Sequence, residues 1–267
     1  MTAQPHAPSA DAATFAPAPG SAALPRMVAT QAKMEATLML RNGEQLLLAV
    51  VIPLIVLVGG ILGVRHLQLA GNRDAVDVLA PGVLALAVMS TSFTSLAIST
   101  GFERRYGVLK RLGSSPLPRT GLLAGKVGAL LLVELLQIVV LSFVAGILGW
   151  SPTLTALGGL GGVVTVLLGT AAFASLGLFL AGALRAEATL AAANLVYLVL
   201  LAGGAVVVPA ASYGGAGRWL ALLPSGALGT GLRESLGHGW FPAGPTVVLV
   251  VWTAIGTLLT ARTFRWE

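Results

Sequence analysis

Residues 122–148 read LLAGKVGALLLVELLQIVVLSFVAGIL. Crossing the hydrocarbon of a bilayer takes roughly 20 helical residues, and a helix in lipid pairs nearly all of its backbone polar groups within itself. This stretch exceeds that minimum, and the polar side chains within it are Lys126 near its start, Glu134, Gln137 and Ser142. It reads as a tilted transmembrane helix. Five further segments read the same way. Gln45–Val64 contains Pro53, which kinks a helix without ending it. Val78–Thr100 carries Pro81 near its start, where a missing amide hydrogen costs little. Leu154–Leu184 is rich in glycine and is the span expected to break or bend. Thr189–Pro209 and Gly244–Ala261 complete the set, the last holding Trp252 and ending against Arg262. The expected fold is therefore an all-α polytopic membrane protein with six transmembrane helices.

Composition supports that reading. The chain has 267 residues, of which 56% are hydrophobic and 10% charged, against about 45–50% apolar and about 25% charged in soluble domains. So few charges cannot cover a water-soluble surface of this size. Cysteine is absent, which excludes disulfides, thiolate nucleophiles and thiolate metal sites. His6, His66 and His238 are far apart, so no metal-ligand spacing is present and no metal or catalytic site is expected in the chain. Residues 1–25 hold five prolines among small and polar residues and read as a disordered tail. The remainder, 26–267, reads as one transmembrane domain.

The basic residues are unevenly placed. With the tail in the cytoplasm, the inside segments hold Arg26, Lys33, Arg41, Arg104, Arg105, Lys110, Arg111, Arg119, Lys126, Arg185, Arg262 and Arg265. Only Arg65, Arg73, Arg218 and Arg233 then lie outside. This is the asymmetry of the positive-inside rule, and it predicts a multi-pass protein of the bacterial plasma membrane with both termini cytoplasmic. The net charge of +6 then reflects topology and gives no support to nucleic-acid binding. Met27, Thr30, Met34, Leu38 and Arg41 recur at helical spacing within 27–45, as in an amphipathic helix lying on the membrane surface. A solvated linker is the alternative.

Residues 101–120 read GFERRYGVLKRLGSSPLPRT. Phe102, Tyr106, Leu109 and Leu112 step by four, three and three, which predicts one short helix with these four residues on one face. Gly107 weakens it by up to about 1 kcal/mol, and Pro116 and Pro118 force it to stop by Ser115. Such a helix either floats at the lipid interface or plugs into a soluble partner.

This loop resembles that of type-2 ABC exporter permeases. The carrying features are Glu103 followed by Arg104 and Arg105, then Gly107–Leu112, then Ser115–Pro118. The likeness extends over most of the chain after residue 26, including Pro81-Gly82 and an insertion before the last span. It is most similar to the daunorubicin-exporter-like drug-resistance branch, although the loop motif is shared with polysaccharide and nodulation-factor exporters. The resemblance implies a coupling helix made of Phe102, Glu103, Arg104, Arg105, Tyr106, Leu109, Lys110, Arg111 and Leu112. It also implies two permease copies assembled with two copies of an ABC ATPase that binds ATP and Mg. The chain has no phosphate-binding loop of its own, since Gly125-Lys126 is followed by Val127.

Candidates for a translocation path come from polar residues in the spans. Glu134 and Gln137 share a helix face; they either line a path that attracts a cationic amphiphile or form helix-to-helix hydrogen bonds. Asn194 with Tyr197 carries the same two readings. Within 210–243, Arg218, Trp219, Leu222 and Leu223 suggest a short helix closed by Pro224, and Leu228, Leu232 and Leu236 suggest a second. The resemblance makes these short external re-entrant helices, with Arg233 and Glu234 at the outer rim of the path. Gly158 with Gly162, and Gly177 with Ala181, have the spacing of close helix approach and read as internal packing. The resemblance puts the subunit boundary along the first and fifth spans.

The function expected is export of an amphiphilic drug, antibiotic or lipid-like substrate. A polysaccharide or lipid-linked glycan is the alternative cargo. A proton-coupled carrier would need Glu134 to titrate, and the chain is short for the repeated architecture common in that class. A membrane hydrolase would need a nucleophile beside a base, and no histidine falls within a span.

Overall fold

The computed structural model describes residues 22–66, 72–112 and 117–263. Every regular element among them is helical. Residues 1–21, which hold most of the expected tail, and 113–116, which hold the expected stop at Ser115 and Pro116, lie outside the described residues. Helix α1 spans Leu24–Arg41 and α2 spans Gly43–His66. A long rod follows, made of α3 (Asn72–Met89), a π-helical segment (Ser90–Ser95) and α4 (Leu96–Arg105). Then come α5 (Val108–Leu112), α6 (Arg119–Ile147), α7 (Ala156–Ala183) and α8 (Ala186–Gly203). A 3-10 turn (Ala210–Ala216), α9 (Gly217–Leu220), α10 (Pro224–Gly237) and α11 (Ala243–Thr263) complete the described chain.

Five of these rods are long and apolar enough to cross a membrane: Ala75–Arg105, Thr120–Ile147, Ala156–Ala183, Ala186–Gly203 and Ala243–Thr263. Within α2 the apolar stretch Ala49–Val64 is shorter. The protein is thus an all-α polytopic membrane protein with about five such helices.

Helix α1 takes in the last two residues of the expected tail, Leu24 and Pro25, because proline's fixed φ suits the first turn of a helix. It lies along α6 and turns Gln31, Ala32 and Ala36 inward. Gly125 permits the approach, since a Cβ there would sit 2.6 Å from Gln31 Cγ, and Gly128 faces Ala32. The expected apolar stripe points the other way, with Met34 and Leu38 exposed.

Pro53 has a structural consequence. It removes the amide hydrogen that would bond the Ala49 carbonyl one turn earlier. The Gln137 amide of α6 donates to that carbonyl at 2.9 Å. The carboxamide oxygen of the same residue accepts from Thr91 Oγ1 at 2.9 Å, inside the π-helical segment. Gln137 therefore ties α6 to the two places where α2 and the α3–α4 rod depart from regular hydrogen bonding, which is how such irregularities are stabilised in lipid.

Glycine-rich α7 runs unbroken, contrary to the expectation that it would break. The departure from α-helix falls instead in the second span, at Ser90–Ser95. In lipid, helices associate through close packing and hydrogen bonds because apolar burial alone drives nothing. The glycines of α7 serve that packing. Gly177 approaches the Phe93 carbonyl, Gly169 receives Leu228, and Gly158 and Gly161 receive the Ser235 end of α10. Phe93 and Phe173 meet edge to face at 6.3 Å, and Phe173 is fully buried.

The fifth span is shorter than expected. Helix α8 stops at Gly203 and the chain unwinds through 204–209, with Ala205 at a φ of 55°. Pro224 begins α10; the chain makes three-residue turn bonds from Leu222 and Leu223 just before it. Leu228 and Leu232 are buried as part of the core. Helix α10 lies against the half of α7 that starts at Ala156, with its Leu228 end level with Gly169, near the midpoint of α7.

Candidate functional site

Three consecutive charged residues end α4, and each bonds a different part of the bundle. Glu103 pairs with Lys126 of α6 at 2.7 Å, and Lys126 pairs in turn with Glu35 of α1 at 3.0 Å. Lys126 keeps only 5% of its side chain exposed, so it is a buried bridge between two carboxylates and not an orienting surface charge. Gln31 donates to Glu35 at 2.9 Å. Arg104 donates to the carbonyls of Gly182 at 2.6 Å and Leu184 at 2.8 Å. Those are orphan acceptors at the C-terminal end of α7, where a cation also meets the negative pole of the helix. Arg105 pairs with Glu187 in the first turn of α8. Both side chains of that pair are largely exposed, so it adds little stability.

The tip beyond these anchors differs from the single helix read from the sequence. Gly107 adopts a φ of 68°, the left-handed region that glycine enters without a Cβ penalty. It breaks the helix between α4 and α5. The four apolar residues therefore do not share one face. Leu109 turns inward and is 2% exposed, while Tyr106 is 65% exposed. Phe102 stacks on Tyr106 with centroids 6.2 Å apart, and the Arg105 guanidinium lies 5.7 Å from the Tyr106 ring centre. Val108, Lys110 and Arg111 are exposed beside it and Leu112 is half-buried. A surface with an aromatic centre and a cationic rim results.

Behind the tip lies a cleft of about 510 Å³ between α2, the π-helical segment, α4 and α8. Hydroxyls of Ser90, Thr94, Ser95 and Ser99 form one wall, and Ile52, Ile98 and Leu190 supply apolar surface. Asn194 and Tyr197 both border it, as does Phe102. Phe102 thus meets both the exposed tip, by stacking on Tyr106, and the cleft.

The remaining sequence candidates fall elsewhere. Glu134 accepts a 2.6 Å hydrogen bond from Thr170 of α7 and borders a different, apolar groove. Gln137 is fully buried in the helix junction described above. Arg233 clamps the unwound segment: its guanidinium donates to the Val206 carbonyl at 2.7 Å, to the Val207 carbonyl, and to the Val78 carbonyl at 3.3 Å. Gly82 leaves it room, since a Cβ there would lie 2.6 Å from the guanidinium. Burial lowers the Arg233 pKa to about 10, which leaves it charged at neutral pH. Glu234 is half-buried at the far end of α10, and burial raises its pKa.

Lys126 and Glu35 were missed as site residues, because nothing local marks a pair 91 positions apart. A lysine inside an apolar span is the one signal that could have found them. Among the described residues no group of three His, Asp or Glu side chains could hold a metal ion. The profile of the ABC-2 type transporter family matches residues 28–236. No curated protein matches the chain.

Proposed function

The chain belongs to the ABC-2 type transporter family, and on that premise we propose that it is the permease of an ATP-driven exporter of amphiphilic drug-like or lipid-like molecules. Members of the family are non-catalytic transport subunits, so the energy comes from a partner. In this reading two permeases assemble with two ABC ATPases that carry the ATP and Mg, and Tyr106, Val108, Lys110 and Arg111 face the ATPase. The observation that carries it is the divergent bonding of Glu103, Arg104 and Arg105. A push on the α4–α5 tip is delivered at once to α6 and α1, to the end of α7 and to the start of α8. Phe102 passes the same displacement to the cleft bordered by Asn194 and Tyr197, the proposed path. The mixture of hydroxyl and apolar walls suits an amphiphile better than a long polar glycan.

Six spans with both termini cytoplasmic put the tip beside the ATPase, α2 being the sixth. The chain has no cysteine, so single cysteines report topology cleanly. Cysteines at positions 10 and 265 should resist a membrane-impermeant thiol reagent in intact cells, and those at 70 and 238 should react. Labelling at position 10 would reverse the orientation.

Inside-out vesicles holding the complex should accumulate a fluorescent amphiphile on addition of ATP, and a protonophore should leave that uptake intact. Uptake that collapsed with the proton gradient and ignored ATP would favour a secondary carrier.

A further inference from the structure

Glu134 is out of place as a purely structural residue. Its Oε2 accepts from Thr170 at 2.6 Å, but its Oε1 is buried and has no hydrogen-bond partner among the described residues. The side chain is 1% exposed and borders a groove of about 410 Å³. That volume falls within the roughly 300–1,000 Å³ of small-molecule sites.

The groove arises because α6 and α7 both pack on α3, and Leu84 of α3 forms part of its lining. Leu135 of α6 and Val163 and Leu167 of α7 border it and are 59%, 58% and 47% exposed. Large aliphatic side chains exposed on two spanning helices look toward the bilayer. None of the residues bordering this groove borders the α2–α4–α8 cleft, so the two sites are separate.

We propose that this groove is a bilayer-facing binding site for a long-chain ammonium amphiphile, with Glu134 as its counter-charge. The walls take an alkyl chain and the one unpartnered oxygen takes the head group. An ionised carboxyl buried in apolar surroundings is costly unless paired, and a cation arriving through the lipid supplies the missing partner. A neutral amphiphile of equal length gains the walls but not the pairing. The inference stands independently of the export reading, because it concerns binding to the permease alone.

The test uses the full chain in phosphatidylcholine nanodiscs and two photoreactive probes, a diazirine-bearing dodecylamine and the matching dodecanol. The amine should label residues 131–138 and 159–167 at least tenfold more strongly than the alcohol. Glu134→Gln should abolish that preference and leave the alcohol labelling unchanged. Val163→Trp, at an exposed position on the groove's rim, should fold and block both probes, and it carries the test if Glu134→Gln does not assemble. Equal labelling by the amine in the parent and Glu134→Gln proteins would overturn the proposal. Labelling confined to the 190–197 region would also overturn it, while leaving the cleft as the transport path.

Discussion

Lys126→Met should destabilise the membrane domain by about 3 kcal/mol, whereas Glu35→Gln should cost about 1 kcal/mol. The difference follows from what each change leaves behind. Removing one member of a buried ion pair strands its partner without compensation and costs about 3–5 kcal/mol. Here the loss of one ammonium strands two carboxylates that both lie within 3.0 Å of it. Glu35 and Glu103 keep 13% and 20% of their side chains exposed, so water relieves part of the cost and the lower end of that range applies. In Glu35→Gln, Lys126 keeps Glu103 and a neutral acceptor replaces the lost carboxylate, so only the margin between a charged and a neutral hydrogen bond is at stake. Unfolding in mixed SDS micelles reads both. Equal midpoints for Lys126→Met and the parent protein would show that the bridge does not hold α1 to α4 and α6.

On the proposed coupling, Tyr106→Asp should weaken binding of the ATPase at least tenfold and leave folding and insertion intact. Tyr106 is the largest apolar side chain exposed at the tip, and aromatic anchors at the centre of an interface commonly contribute 1 kcal/mol or more, roughly a factor of five or above. Aspartate adds to that loss the burial of a carboxylate inside the contact. The intramolecular cost is small, because Tyr106 gives up only its stack on Phe102 and the contact with Arg105. Leu109 is unsuitable for the same test despite lying three residues away. At 2% exposed it belongs to the permease interior, and a charge there would unfold the loop. Lys110→Ala should slow association with little change in the lifetime of the complex, as expected of a charge on a rim.

The spanning helices were legible because lipid imposes a single requirement, a long apolar run, and 122–148 and 244–261 meet it almost to the residue. What hydropathy cannot register is the local path of the backbone. Gly107 was visible as a weak point, yet its left-handed φ, which breaks the helix between Tyr106 and Leu109, is a backbone choice that periodicity does not register. The same limit applies to Ser90–Ser95, whose π-helical geometry is held by Gln137 from another helix. The family resemblance put Arg233 at the outer rim of a path, and nothing in its own stretch of sequence points to the backbone carbonyls it meets. Two of its three backbone acceptors, the Val206 and Val207 carbonyls, lie where the chain unwinds after Gly203, and the third, Val78, belongs to α3. The small residues of α6 escaped notice, and the helix they admit, α1, is bound by side chains as well as by close approach. Asn194 and Tyr197 share a cleft while Glu134 and Gln137 do not. Helical spacing pairs residues on one helix and says nothing about which neighbouring helix they meet.

We propose that a separate ATPase drives this permease through the α4–α5 tip. The most direct measurement is ATP-driven export by reconstituted vesicles, together with co-purification of the ATPase, for the parent chain and for Tyr106→Asp at matched abundance in the membrane. The variant should insert normally, lose the ATPase and export at about one tenth of the parental rate or less. Parental co-purification and parental export in the Tyr106→Asp protein would contradict it and leave the loop as an anchor at the membrane surface.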